Sequence, residues 1–117
     1  TVNTGAHGQR EGLATHWEMS SFSEGGMSPM EMLSTATINP AKYLGMEADL
    51  GSVEPGKLAD LQIVDGNPLD NVKTTDQITH VMINGRLYRS SDLAETVTGD
   101  AEAPSVWWHG QAQHRIR

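Results

Sequence analysis

The stretch Gly51-Ser-Val-Glu-Pro-Gly-Lys-Leu-Ala-Asp-Leu-Gln-Ile-Val-Asp65, closed by Gly66-Asn67-Pro68, constrains the fold of this chain more than any other. Glu54-Pro55-Gly56-Lys57 spells a tight turn, because Pro55 presets φ at one turn position and Gly56 accepts positive φ at the next. The chain then reverses into an extended run from Leu58 to Val64. Leu61 and Ile63 alternate there with Asp60, Gln62 and Val64, the pattern of a short strand buried on one face, and Gly66-Asn67-Pro68 stops it. Lys57 reads as a turn charge and Asp60 as an acceptor for turn amides.

On either side the local signals are of two kinds. Upstream they are helical. Thr15 to Glu18 has capping-box spacing and opens a helix that runs to about Glu24, with Met19 and Phe22 on one face and Gly25-Gly26 as its stop. Ser28, Pro29 and Glu31 form a second capping box, and Met30, Leu33 and Thr37 line the stripe expected to meet an apolar neighbour. Asn39-Pro40 restarts a short helix that Gly45 ends. Downstream the signals are extended. Ile78 to Ile83 carries bulk on both faces and reads as a central strand, and Asn84-Gly85 is the strongest two-residue hairpin signal, so Arg86 to Tyr88 returns alongside. Ser90-Ser91-Asp92 is positioned to cap a last helix to Thr96, and Thr98 to Ser105 reads as linker.

Composition narrows the partners. With 8 basic and 15 acidic residues among 117 the net charge is −7, which argues against nucleic acid or an anionic membrane as partner. No apolar run approaches the roughly 20 residues of a membrane span. The absence of cysteine removes disulfides and thiolate metal sites, so a metal would need His, Asp or Glu, and it leaves the compartment open.

The segment "GSVEPGKLADLQIVDGNP" resembles the G-S-x-x-x-G-K-x-A-D-L stretch near the C-terminus of metal-dependent amidohydrolases. The resemblance runs in register from Gly5 to about Leu93, through "GAHGQ", "THWE", "EGGMSPMEMLSTATINPAKYLG" and "VMINGRLY". It is greatest to the imidazolonepropionase and prolidase subgroup, often fused to TolB-like propellers. It implies an α/β fragment: the last strand and helices of a (β/α)8 barrel plus part of a small β-sandwich. Residues 1–50 would be the end of the barrel, 51–93 the sandwich strands with their hairpin, and 94–117 a linker and tail. A whole barrel needs about 200 residues or more, so this chain would be the last part of an enzyme.

In that family one or two divalent metals, zinc first among them, lower the pKa of a bound water that attacks an amide-like carbonyl. The resemblance therefore implies hydrolysis of C–N bonds of small cyclic amides or dipeptides by a parent protein, with this chain inactive in isolation. The family sets an Asp after the eighth barrel strand in a Gly-small-Asp context; here that triplet is Gly5-Ala6-His7. Imidazole can ligate metal or shuttle a proton but cannot carry the same charge. His7 is thus the candidate metal ligand and catalytic group, against the plainer reading of a loop histidine bonded to backbone. His16, at the start of the first helix, is a second candidate for contacting substrate. His16 and Glu18 lie two apart and so face differently on a helix, and Glu18 already has a part in the capping box. His80 reads as a sheet histidine, and His109 and His114 lie on the tail, where Trp107 and Trp108 read as a packing anchor. The family's remaining metal ligands would lie upstream of Thr1. The chain would then pack on the rest of the barrel or self-associate. The alternatives are a stand-alone protein-interaction module and a barrel without metals.

Overall fold

The computed structural model describes residues 1–7 and 10–99. Helices α1 (Ala14–Glu24), α2 (Pro29–Thr35) and α3 (Ile38–Tyr43) come first, then strand β1 (Leu61–Val64), a 3-10 turn (Val72–Asp76), β2 (Ile78–Ile83) and β3 (Arg86–Arg89). The strands form one antiparallel sheet in the order β1-β2-β3, so β2 is central as its two-sided bulk requires. α2 packs between α1 and α3, and α1 also rests on the 3-10 turn, which joins the helices to the sheet.

The second capping box forms as its spelling dictates. The Ser28 hydroxyl accepts from the Glu31 amide, the Glu31 carboxylate accepts from the Ser28 amide, and Pro29 opens the helix. These bonds satisfy orphan donors at the helix start. Ser28→Ala is expected to lower stability by about 1 kcal/mol, read as a lower urea midpoint at unchanged slope.

The first capping box does not form. Residues 10–13 already turn helically, with the Ala14 amide bonded to the Arg10 carbonyl, so Leu13 occupies the cap without a side-chain bond and Thr15 lies inside α1. Asn39 is likewise not a cap; α3 begins at Ile38 after Thr37, and the Asn39 side-chain Nδ2 donates to the Val2 carbonyl at 3.1 Å. The buried face of α2 also differs from the expected stripe. Met32 and Thr35 are the fully buried pair, while Met30 is 60% exposed and Thr37 is exposed. Both pairs have helical spacing, and the neighbours α1, α3 and the N-terminal segment select the Met32 side. With Met19 of α1 and Ala41 of α3, Met32 makes a small, methionine-rich core.

In the sheet, the Glu54 to Lys57 turn closes with the Lys57 amide on the Glu54 carbonyl and Gly56 at φ 95. The Lys57 ammonium then cross-braces the connection between α3 and β1, donating to the Glu47 carbonyl at 2.7 Å and the Ser52 hydroxyl at 2.5 Å and pairing with Glu54 at 3.4 Å. Asp60 accepts the Asn84 amide at 2.6 Å, and the Gly85 amide reaches the Ala59 carbonyl, so the Ala59-Asp60 step straps the hairpin turn. That turn has the positive φ at both positions that Asn-Gly supplies, 47 and 79. Strand β1 is shorter than the run from Leu58, and its alternation fails: pairing shifts between Ile63 and Val64, leaving Ile63 46% exposed and Val64 half-buried. An irregularity of this kind flips the inward side chain within a strand.

Residues 90–96 form no helix. Leu93 adopts φ 59, the Leu93 amide returns to the Arg89 carbonyl, and the chain doubles back so that Glu95 bridges Tyr88. Glu95 is buried, and its carboxylate accepts the Thr98 hydroxyl at 2.6 Å and the amides of Thr98, Val97 and Gly99 at 3.0, 3.0 and 2.7 Å. These donors, the Thr98 hydroxyl first, outweigh the penalty of burial and hold the carboxyl well below its ordinary 4.5, at about 2. A folded value depressed in this way contributes stability that is complete above the unfolded pKa and is lost as pH falls from about 4.5 through about 2. Glu95→Gln is therefore expected to flatten that acid limb of Tm against pH while lowering Tm at neutral pH.

Candidate functional site

The N-terminal segment carrying His7 is not a strand of the sheet. It lies across the helices, fastened at three successive points: the Val2 carbonyl by Asn39, the Thr4 amide to the Thr35 carbonyl at 3.0 Å, and the Gly5 amide to the Glu18 carboxylate at 2.7 Å. The last is a charge-assisted bond, stronger than its neutral counterparts. Past it the chain turns sharply. His7 takes φ 51, in the left-handed region that few non-glycine residues occupy. Its side chain is exposed, and no described residue bonds the imidazole.

His16 and Glu18 have different partners on different sides of α1, as a two-residue step on a helix requires. His16 is half-buried, with Nδ1 3.2 Å from the hydroxyl of buried Thr75, so its ring ties α1 to the 3-10 turn. Glu18 ties α1 to the His7 segment. This bond spans thirteen residues, and no local pattern announces it. His80 sits half-buried on β2 with Nδ1 3.2 Å from the Thr79 hydroxyl. His109, His114, Trp107 and Trp108 lie outside the described residues.

A divalent metal needs several converging donors. Among the described residues no three His, Asp or Glu side chains gather into such a group, so these residues do not by themselves fit a complete metal site; His7 offers one nitrogen donor. One further polar atom lacks a partner. Asn3 Oδ1 is buried, and no described residue donates to it, although buried acceptors are generally satisfied. No described helix is long and apolar enough to cross a membrane.

The sequence model of the amidohydrolase family matches residues 9–88, and the chain belongs to that family. Its relatives place it with the imidazolonepropionase and prolidase-like members. It is 56% identical over 39 residues to the imidazolonepropionase of Symbiobacterium thermophilum, covering 33% of this chain and 9% of that protein. The crystal structure of a Xaa-Pro dipeptidase with bound methionine in its active site matches at 38% identity and TM-score 0.66, over 70% of this chain and 20% of the dipeptidase. A structure described as a prolidase of Bifidobacterium longum matches at 33% identity and TM-score 0.65, over 71% of this chain and 21% of that one. The chain thus spans about a fifth of the length of these structures and less of the imidazolonepropionase.

Proposed function

We propose that this chain is the C-terminal portion of a metal-dependent hydrolase that cleaves C–N bonds of small cyclic amides or dipeptides, and that it is inactive in isolation. Residues 1–50 are the end of a (β/α)8 barrel with its exit loop and following helices. Residues 51–93 are the hairpin-containing part of a β-sandwich, and 94–117 are a linker and tail. In the whole protein a divalent metal, zinc as first candidate, would be held by His7 together with donors from the rest of the polypeptide and would supply the activated water. His7, at the mouth of the barrel, would ligate that metal or carry the proton, and His16, which faces the 3-10 turn with one ring nitrogen on Thr75, is the second candidate, as a substrate contact.

The observation that carries this reading is the match of most of the chain to a fifth of a Xaa-Pro dipeptidase. The surface supports it: Met30, Tyr43, Leu44 and Val53 are 60%, 81%, 67% and 83% exposed. Large apolar side chains exposed to this degree are available for burial against the rest of a barrel. The test is an assay of the full-length polypeptide against a panel of Xaa-Pro dipeptides and cyclic amides, beside residues 1–117 alone. Turnover by the full-length protein and none by the shorter chain is the expected result. No hydrolysis by the metal-loaded full-length protein across the panel would remove this reading.

A further inference from the structure

We infer that Glu18 is a positioning residue, whose carboxylate sets where His7 can reach by holding the Gly5 amide. The inference rests on the role proposed for His7. Four bonds at three points pin the segment before His7, and only the last point uses a charged group: Gly5 N–H donates to Glu18 Oε2 at 2.7 Å, against 3.0 and 3.4 Å for the Thr4 amide and hydroxyl on the Thr35 carbonyl and 3.1 Å for the Asn39 side chain on the Val2 carbonyl. Gly5 is two residues from His7, and His7 itself has φ 51 and no described partner for its ring. Nothing among the described residues beyond Gly5 therefore fixes the imidazole; its direction is inherited from the anchored amide before it.

The anchor is itself anchored. Glu18 projects from α1, and α1 is held from its other side by His16 on buried Thr75 and by Met19 in the core. A carboxylate on a helix fixed at two further points is a rigid post, and a displacement of about 1 Å at a reacting group is enough to cost much of the rate. Glu18 is thereby distinguished from a catalytic residue: the structure gives it a backbone amide to hold, and its effect passes through His7.

The test uses the full-length protein and the rate at which diethylpyrocarbonate modifies His7, mapped by peptide mass spectrometry with His80 as internal reference. Glu18→Ala removes the acceptor and is expected to change the His7 rate at least threefold relative to His80. Glu18→Gln keeps an amide oxygen for the Gly5 N–H and is expected to stay within a factor of two of wild type. Equal His7 rates in wild type and Glu18→Ala, or an equal change in both variants, would overturn the inference. In parallel, kcat/KM is measured for His7→Ala, Glu18→Ala and the double variant. A residue acting only through His7 adds no loss on top of His7→Ala, whereas additive losses would overturn its positioning role. Wild-type activity in His7→Ala would instead remove the role of His7, and the modification rates would still decide whether Glu18 fixes that loop.

Discussion

Replacing His7 by alanine in the full-length protein is expected to lower kcat/KM by about 10²- to 10⁴-fold, the range spanned by loss of a positioned proton-transfer group. Folding should be indifferent to the change. The imidazole is exposed and makes no bond to a described residue, so Tm of the metal-free protein should not move with the rate. This separation gives the prediction its force, because a fall in activity at constant Tm locates the loss in chemistry. His7→Gln, which keeps a polar group but cannot shuttle a proton, should fall nearly as far. Full activity in His7→Ala would take His7 out of the mechanism and favour a barrel that retained its shape and dispensed with this group.

Gly51→Ala should cost stability out of proportion to one methyl group. Gly51 has φ 92, and a Cβ built there would lie 2.8 Å from the Ala41 Cβ, 2.9 Å from the Ile38 Cα and 3.1 Å from the Thr37 carbonyl oxygen. The chain crosses the side of α3 at van der Waals contact, and two of those three atoms are backbone that cannot swing aside. Left-handed strain and overpacking together amount to about 2–5 kcal/mol. Hydrogen exchange in the full-length protein reads this locally. The Met46 amide, bonded to the Ala41 carbonyl, and the Leu58 amide, bonded to Asp49, should exchange roughly 30-fold faster or more. Gly56→Ala is the control, since Gly56 has φ 95 but nothing within 4 Å of a built Cβ, so only the backbone strain applies. Equal effects at the two positions would show that the close approach to α3 does not matter.

What the sequence displayed and what it hid divide along chain distance. Ser28-Pro29-Glu31, Glu54 to Lys57, Gly66-Asn67-Pro68 and Asn84-Gly85 each carry their whole explanation within a few residues, and each forms as spelled. Asp60 was legible as an acceptor of turn amides, though the amide it takes belongs to Asn84, far along the chain. The failures needed a distant partner. α2 is only seven residues long, so both the Met30 and the Met32 stripes satisfy helical spacing and only the packed neighbours decide between them. Glu18 had a plausible local partner in Thr15 and took a distant one in Gly5. Residues 90–96 had a capping signal, yet pairing with Tyr88 and the cluster of amides around Glu95 made the extended return more favourable than a lone helical turn. The candidate site was legible to the extent that the Gly5-Ala6-His7 triplet carried it. Its anchoring was not, because hydrogen bonds from backbone amides to side chains across the chain leave no periodic trace.

The central claim is that these residues are one end of a larger hydrolase, and the mass of the native polypeptide containing them, taken from its source without a recombinant boundary, tests it most directly. The account predicts a mass several times 12.7 kDa. A native mass near 12.7 kDa would contradict it and leave a stand-alone module built from amidohydrolase parts.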